Sequence, residues 1–291
     1  MRVANLFKSN FKHSLLKQLL VVVTLLFSLA SHANVLILVH GWRSNADSWV
    51  NSGVHSALIG HGWEDAGTTF INPAGVSLFQ QTKPTAGNKF YRVNLPAHLG
   101  LQPQADFLGR QLNYLSQLHQ DEKIIIAAHS AGGLVSRMVL TQQKTPYVKA
   151  LITIATPHLG TPRATDGLDI GHSKPFFCPG PGLEIFKNIV GGEDYRYLRN
   201  SDALLVDLLP ARQGNILDWL NYQRHPDIEY HSIIKQVHGS DTDGIVPIYS
   251  QNMNHVQNLH GRSTIHPTIS NHALNPQDGV LIAGIIKSLS Q

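Results

Sequence analysis

The stretch Lys123-Ile124-Ile125-Ile126-Ala127-Ala128-His129-Ser130-Ala131-Gly132-Gly133 changes character within a few residues. Lys123 to Ala128 is a short, continuous, β-branched run, as in a strand covered on both faces. Gly132 to Leu140 follows at once and reads as a helix. Between them stands Ser130 with small residues around it. A serine hydroxyl is a poor nucleophile unless it is exposed, aimed at a base and placed beside hydrogen-bond donors. A sharp strand–turn–helix elbow achieves all three, and its tightness demands small flanking residues. Ala128 takes the place of the first glycine of the usual G-x-S-x-G pattern, and Gly132 keeps the second. A small-x-Ser-x-Gly pattern alone is weak. Its position after an isoleucine-rich strand and before Gly133 favours an elbow over a serine that merely caps a helix.

Working outward, Val35-Leu36-Ile37-Leu38-Val39 and Val148 to Ala155 are further apolar runs, and Ile228 to Val237 is a looser one. Gln104 to Leu118 places Phe107, Leu108, Leu112, Leu115 and Leu118 at mostly helical spacing, and Gly279 to Leu289 closes as an amphipathic helix. Strands alternating with helices predict an α/β fold with a mostly parallel central sheet and helices on both faces. Residues 159–222 break the alternation. They begin rich in Gly and Pro, then turn helical over Ser201 to Leu209, with Ser201 as candidate N-cap and Pro210 as the stop. We expect this insertion to be a cap or lid, because open α/β sheets bind ligands outside the carboxyl ends of their strands. The plainer alternative is an excursion on the far side.

Residues 1–33 read as a secretory signal peptide: Arg2, Lys8, Lys12 and Lys17 without an acid, an apolar core from Leu19 to Ala30, then Ser31-His32-Ala33. The core is shorter than the roughly 20 apolar residues of a membrane span. The expected product is 34–291, exported to the periplasm or secreted, with a cut after Ala30 as the alternative. Removing four basic residues from 23 Lys+Arg leaves them level with the 19 Asp+Glu, so no nucleic-acid partner is expected. Cys178 is the only cysteine, so no intramolecular disulfide can form, and the fold must rest on a core that the 42% hydrophobic content permits.

Val39-His40-Gly41-Trp42 ends the first strand of that product. An early strand–helix loop must supply one backbone N–H to a developing oxyanion, and the residue after the nucleophile supplies the other. These donors are expected at Trp42 and Ala131, with Gly41 allowing close approach and His40 packing the loop. Together with Ala155-Thr156-Pro157-His158-Leu159-Gly160, these pieces resemble the lipase/esterase branch of the α/β-hydrolases, over nearly the whole of 34–291. In bacterial lipases of this kind the acid lies in an Asp-Gly-x-Val-Pro loop. The resemblance implies that Asp243 of Asp243-Gly244-Ile245-Val246-Pro247 is the acid, with Asp241 as rival and Asp278 too close to the last helix. The base follows the acid in this fold, which leaves His255, His260, His266 and His272 of 17 histidines. His272, in the loop before the last helix, is favoured, and His266 is the runner-up although Pro267 restricts it.

No metal or cofactor is expected. No His-Glu-x-x-His occurs, the histidine pairs lack helical spacing, and no G-x-G-x-x-G follows a strand. Leu274 stands where one lipase group with a structural calcium has an aspartate two residues past its histidine. The expected function is hydrolysis of carboxylic esters, lipid acyl esters among them, through a Ser130–Asp243–His272 triad and an acyl-enzyme, with transient contact with a lipid interface. Phe176, Phe177, Leu183, Ile185 and Phe186 of the insertion suit an acyl-binding surface but equally suit packing on the domain. The alternatives are a phospholipase or thioesterase with the same machinery, and a non-catalytic lipid-binding relative.

Overall fold

The structure is a computed structural model that describes residues 34–80, 85, 87–172 and 193–289. The expected signal peptide 1–33, Cys178 and the insertion's Phe176, Phe177, Leu183, Ile185 and Phe186 lie outside the described residues.

Chain order begins with β1 (Val35–Val39), α1 (Ser48–Asn51), α2 (Val54–Gly60), β2 (Glu64–Asn72), β3 (Gly75–Phe79) and β4 (Lys89–Val93). It continues with α3 (Leu101–Leu118), β5 (Ile124–His129), α4 (Ala131–Gln142) and β6 (Val148–Ile154). The inserted region contributes α5 (Arg163–His172), α6 (Glu193–Asn200), α7 (Asp202–Asp207) and α8 (Ile216–Tyr222). Then come β7 (Glu229–Gln236), α9 (Ile248–Gln251), β8 (Ser263–Ile269) and α10 (Pro276–Ser288).

The strands form one sheet in the order β3-β2-β4-β1-β5-β6-β7-β8. Every neighbouring pair is parallel except β2–β3. The central strands have buried faces on both sides, which is why β1 and β5 read as unbroken apolar runs. Val35, Ile37 and Val39 pack with Ile124, Ile126 and Ala128 under Leu108 and Leu112 of α3 and Leu134 and Met138 of α4. Leu36, Leu38, Ile125 and Ala127 face the other way, onto Trp49, Leu58, Ile282 and Ile286 of α1, α2 and α10. Each Val, Leu, Ile or Met among them contributes about 1.5–3 kcal/mol on burial, so the two layers fix the register. Val39 pairs with Ala128, and His129 with Ile154. The loop after β1, the turn after β5 and the chain leaving β6 therefore emerge side by side at one end of the sheet, where the winding direction reverses about β1.

β2, β3, β4 and β8 have no unbroken apolar run. β4 carries Lys89 and Arg92, paired with Glu122 at 2.9 Å and Asp65 at 2.9 Å. β8 is an edge strand and tolerates Pro267 there. Around the inserted region, Thr161 N–H donates to the Leu208 carbonyl at 2.9 Å and Ala211 N–H to that of Leu159 at 2.9 Å. Ser201 sits at the N-cap of α7 but its side chain does not cap it. Its hydroxyl accepts from Trp42 Nε1 at 3.0 Å and donates to the Tyr197 carbonyl at 2.8 Å. The expected cap is replaced by a tertiary contact, because an indole N–H arrives from the β1 loop.

Candidate active site

Ser130 holds φ +53° and ψ −129°, between the last residue of β5 and the first of α4. A non-glycine residue there costs on the order of 1–3 kcal/mol and persists only where neighbours over-determine it. Ser130 N–H is tied to the Ile154 carbonyl of β6 at 2.9 Å, and the Ser130 carbonyl accepts from Gly133 N–H at 3.0 Å. Small residues make room. A Cβ on Gly41 would stand 2.8 Å from Ser130 Cβ, and one on Gly132 would stand 2.4 Å from the His40 carbonyl oxygen. Ala128 is fully buried in the α3/α4 layer, so a methyl at that position is packed rather than obstructive.

His272 lies in the irregular segment between β8 and α10, with its side chain 13% exposed. Its Nε2 is 2.9 Å from Ser130 Oγ, and its Nδ1 is 2.7 Å from Asp243 Oδ2. An ionised carboxylate can only accept, so Nδ1 carries the proton and the Nε2 lone pair faces the serine hydroxyl. Asp243 is 1% exposed. Its Oδ1 accepts from the backbone N–H groups of Ile245 at 2.9 Å and Val246 at 2.8 Å, and Gly244 supplies the φ of +98° that bends the turn. The backbone repeats the pairing, with His272 N–H donating to the Asp243 carbonyl at 3.0 Å.

The rival residues lie elsewhere. Asp241 is exposed. His266 sits on β8 with Nε2 3.1 Å from His231 Nδ1. His255 and His260 are exposed and bond to the carbonyls of Tyr249 and Asn254. His40 is 1% exposed, accepts from Leu95 N–H at 3.0 Å and donates to the Gly41 carbonyl, and burial pulls its pKa down. It braces the loop of Trp42. Ala131 is the first residue of α4, so its N–H has no acceptor within the helix. Trp42 and Ala131 both flank the serine, Trp42 lining the same pocket.

A cavity of about 290 Å³ opens over Ser130 and His272. Trp42, Pro157, Ala164, Leu205, Leu208 and Val246 give it apolar walls, with Arg43 and Arg163 also lining it. Ala164 belongs to α5 and Leu205 to α7, so part of 159–222 covers the carboxyl end of the sheet. Arg163 is paired with Asp166 at 3.0 Å. Among the described residues, no three His, Cys, Asp or Glu side chains cluster as a metal ion would need.

Two groups around the site escaped the sequence reading. His129 donates from Nε2 to the His272 carbonyl at 2.9 Å with its ring 5.0 Å away. Burial, then the nearby His272, hold its pKa well below the usual value. Behind α4, Arg137 is fully buried and donates to His225 Nε2 at 3.1 Å, Asn221 Oδ1 at 2.9 Å and His158 Nδ1 at 3.3 Å. Burial lowers Arg137 to about 9, so it stays cationic, and burial beside it drops His225 to about 3. The Thr-Pro-His-Leu-Gly segment is thus anchored by His158 from beneath the pocket. An arginine in a helix and a histidine past a strand carry no local sign of such a partnership.

A family model described as a PGAP1-like alpha/beta domain matches residues 97–172, the part that holds α3, the Ser130 elbow and β6. No curated protein matches the sequence. Among solved structures, the mature lipase BlEst2 of Bacillus licheniformis is similar with a TM-score of 0.58 at 14% identity, over 89% of this chain and 93% of that one. The lin2722 gene product of Listeria innocua gives 0.55 at 16% identity, over 88% and 92%. The metagenomic carboxyl esterase MGS0156 gives 0.53 at 14% identity, over 89% and 76%. At these identities the likeness establishes the fold, which is that of the α/β-hydrolases.

Proposed function

From an α/β-hydrolase fold, we propose that this chain is a serine hydrolase of carboxylic esters, lipid acyl esters in particular, working through an acyl-enzyme. One observation carries the reading: the unbroken chain of hydrogen bonds from Ser130 Oγ through His272 to Asp243, on the floor of an apolar cavity. In the proposed cycle His272 Nε2 takes the hydroxyl proton as Ser130 Oγ attacks the ester carbonyl carbon. Asp243 stabilises the imidazolium and keeps the tautomer. The carbonyl oxygen becomes an oxyanion held by the N–H groups of Trp42 and Ala131, the latter at the positive end of α4. His272 then protonates the leaving alcohol and, in the second half, deprotonates the water that attacks the acyl group on Ser130.

The pocket supports an acyl ester because its walls are mostly hydrocarbon, and at about 290 Å³ it lies at the small end of ligand sites. One short or medium acyl arm fits that space better than a whole lipid. The test is labelling by a fluorophosphonate probe together with turnover of p-nitrophenyl esters of graded chain length. Wild-type protein is expected to label and turn over, and Ser130→Ala to do neither. Labelling retained in Ser130→Ala, or an inert wild type, would sink the proposal, the second outcome favouring a lipid-binding relative. Export through residues 1–33 belongs to the same proposal. N-terminal sequencing of protein recovered outside the cytoplasm is expected to begin at Asn34, and recovery only with Met1 at its start would refute it.

A further inference from the structure

Lys235 is the seventh residue of β7, and its side chain is fully buried. A lone ammonium in such a place is costly, and an apolar side chain of the same volume is often at least as stable. Its Nζ donates to Asp278 Oδ2 at 2.7 Å and to the Ala273 carbonyl at 2.6 Å. Asp278 is itself buried and completes the capping box of α10, accepting from Asn275 N–H at 2.8 Å. A capping box satisfies the start of a helix without a lysine. The ammonium therefore exceeds what α10 requires, and its second bond goes to the residue after His272.

Residues 270–275 have no regular structure of their own, yet they must present one ring to two partners at once. Ser270 N–H donates to the Gln236 carbonyl at 2.9 Å, and His272 N–H to that of Asp243 at 3.0 Å. The next two carbonyls, of His272 and Ala273, are held by His129 Nε2 and Lys235 Nζ. Both peptide planes after the histidine are thus clamped by donors rooted in the sheet, the half-buried His129 of β5 and the buried Lys235 of β7.

We propose that Lys235 is a positioning residue for ester hydrolysis. Neutralised by Asp278, it fixes the loop through the Ala273 carbonyl so that the His272 ring meets Ser130 and Asp243 together. The inference rests on the Ser130–His272–Asp243 reading above. It concerns how that histidine is aimed, and a displacement of about 1 Å in such a group costs on the order of a hundredfold in rate.

The experiment compares wild type, Lys235→Met/Asp278→Asn, Asp278→Asn and Ile285→Ala, all assayed well below the lowest Tm. The double variant removes the cation without stranding the buried carboxylate. Ile285→Ala destabilises α10 from its core face without touching the loop. Readouts are kcat and KM on a soluble p-nitrophenyl ester, the rate of fluorophosphonate labelling, and Tm. The double variant is expected to lose about 10–100-fold in kcat and in labelling rate, with KM within about threefold of wild type. Ile285→Ala should lose Tm but keep kcat. If the double variant does not fold, Asp278→Asn carries the test, with an expected fall of about three- to tenfold in kcat at unchanged KM. A kcat equal to wild type in the folded variant, or an equal loss in Ile285→Ala, overturns the proposal. An inert wild type instead overturns the hydrolase reading, so the two failures are distinct.

Discussion

Substituting Gly132 by alanine sets helix propensity against space. Gly132 is the second residue of α4, where alanine would favour the helix by about 1 kcal/mol. The added Cβ, however, would lie 2.4 Å from the His40 carbonyl oxygen and 2.9 Å from that of Val39, where ordinary contact begins near 3.4 Å. Both obstacles are backbone, so no side chain can swing aside, and about 1 Å must be found by moving α4 or the end of β1. Overpacking of this kind costs about 1–3 kcal/mol, which the propensity gain offsets only in part. The larger effect is expected in activity. The displaced peptide joins His40 to Gly41, leads into Trp42 and lies against Ser130. A shift of that size is expected to lower kcat/KM by about a hundredfold. Urea midpoints, ester kinetics and labelling rates on Gly132→Ala measure both parts. Gly284→Ala, on an exposed position of α10 with nothing within 4 Å, is the control and should gain about 0.5–1 kcal/mol. If Gly132→Ala keeps its stability and stays within threefold of wild-type kcat/KM, the tight fit of elbow against β1 loop does not govern the chemistry.

Asp243→Asn should retain the fold yet lose about a thousand- to ten-thousand-fold in kcat, because an amide in place of Oδ2 no longer fixes the tautomer; a loss under tenfold would count against Asp243 as the acid. Leu208→Ala widens one pocket wall and should move the best acyl chain to greater length, read as a roughly tenfold change in the ratio of kcat/KM between long and short esters. An unchanged ratio would place the acyl group elsewhere. Acid should weaken the fold through His225, whose folded pKa of about 3 lies below the unfolded value near 6.5. Between those values the unfolded chain binds a proton that the native state refuses, so stability falls with falling pH by up to about 1.4 kcal/mol per unit. His158, held well below its usual value by burial and by Arg137, acts in the same direction. Urea midpoints at pH 7.5, 6 and 5 test this, and His225→Gln should flatten the slope by about one proton; an identical slope would mean that His225 does not stay neutral in the fold.

The strands at the centre of the sheet were legible because burial on both faces leaves nothing but apolar residues to read. β1 and β5 fall within a residue of their expected bounds. β4 and β8 were not: β4 carries Lys89 and Arg92 in largely buried positions, made acceptable by Glu122 and Asp65, and the half-covered edge strand β8 admits Pro267, and no window of sequence contains those partners or that edge. The inserted region could be recognised as an interruption, and its Gly and Pro content announced that much. Where α5 and α7 lie over Ser130 was decided by packing.

The elbow is a local demand of the backbone. A serine at φ +53° between a buried strand and a helix needs small neighbours within a few positions, so the chain has to write that requirement in consecutive residues. Asp243 and His272 answer to no such local rule. They stand 29 residues apart, and His272 stands 142 from Ser130, so sequence supplied their order and a resemblance while the contacts came from the folded chain. Lys235 marks the limit most sharply. In sequence it is a charged residue near the end of a strand, indistinguishable from a solvated one. Only the return of the chain 43 residues later brings Asp278 within 2.7 Å, turning a buried charge from a cost into a strut. Sequence by itself determines what each short segment must do with its backbone and its apolar faces. Which distant polar groups meet, and so which of many histidines and carboxylates can act together, is decided by tertiary structure, because those contacts depend on the closure of the whole sheet rather than on any one segment.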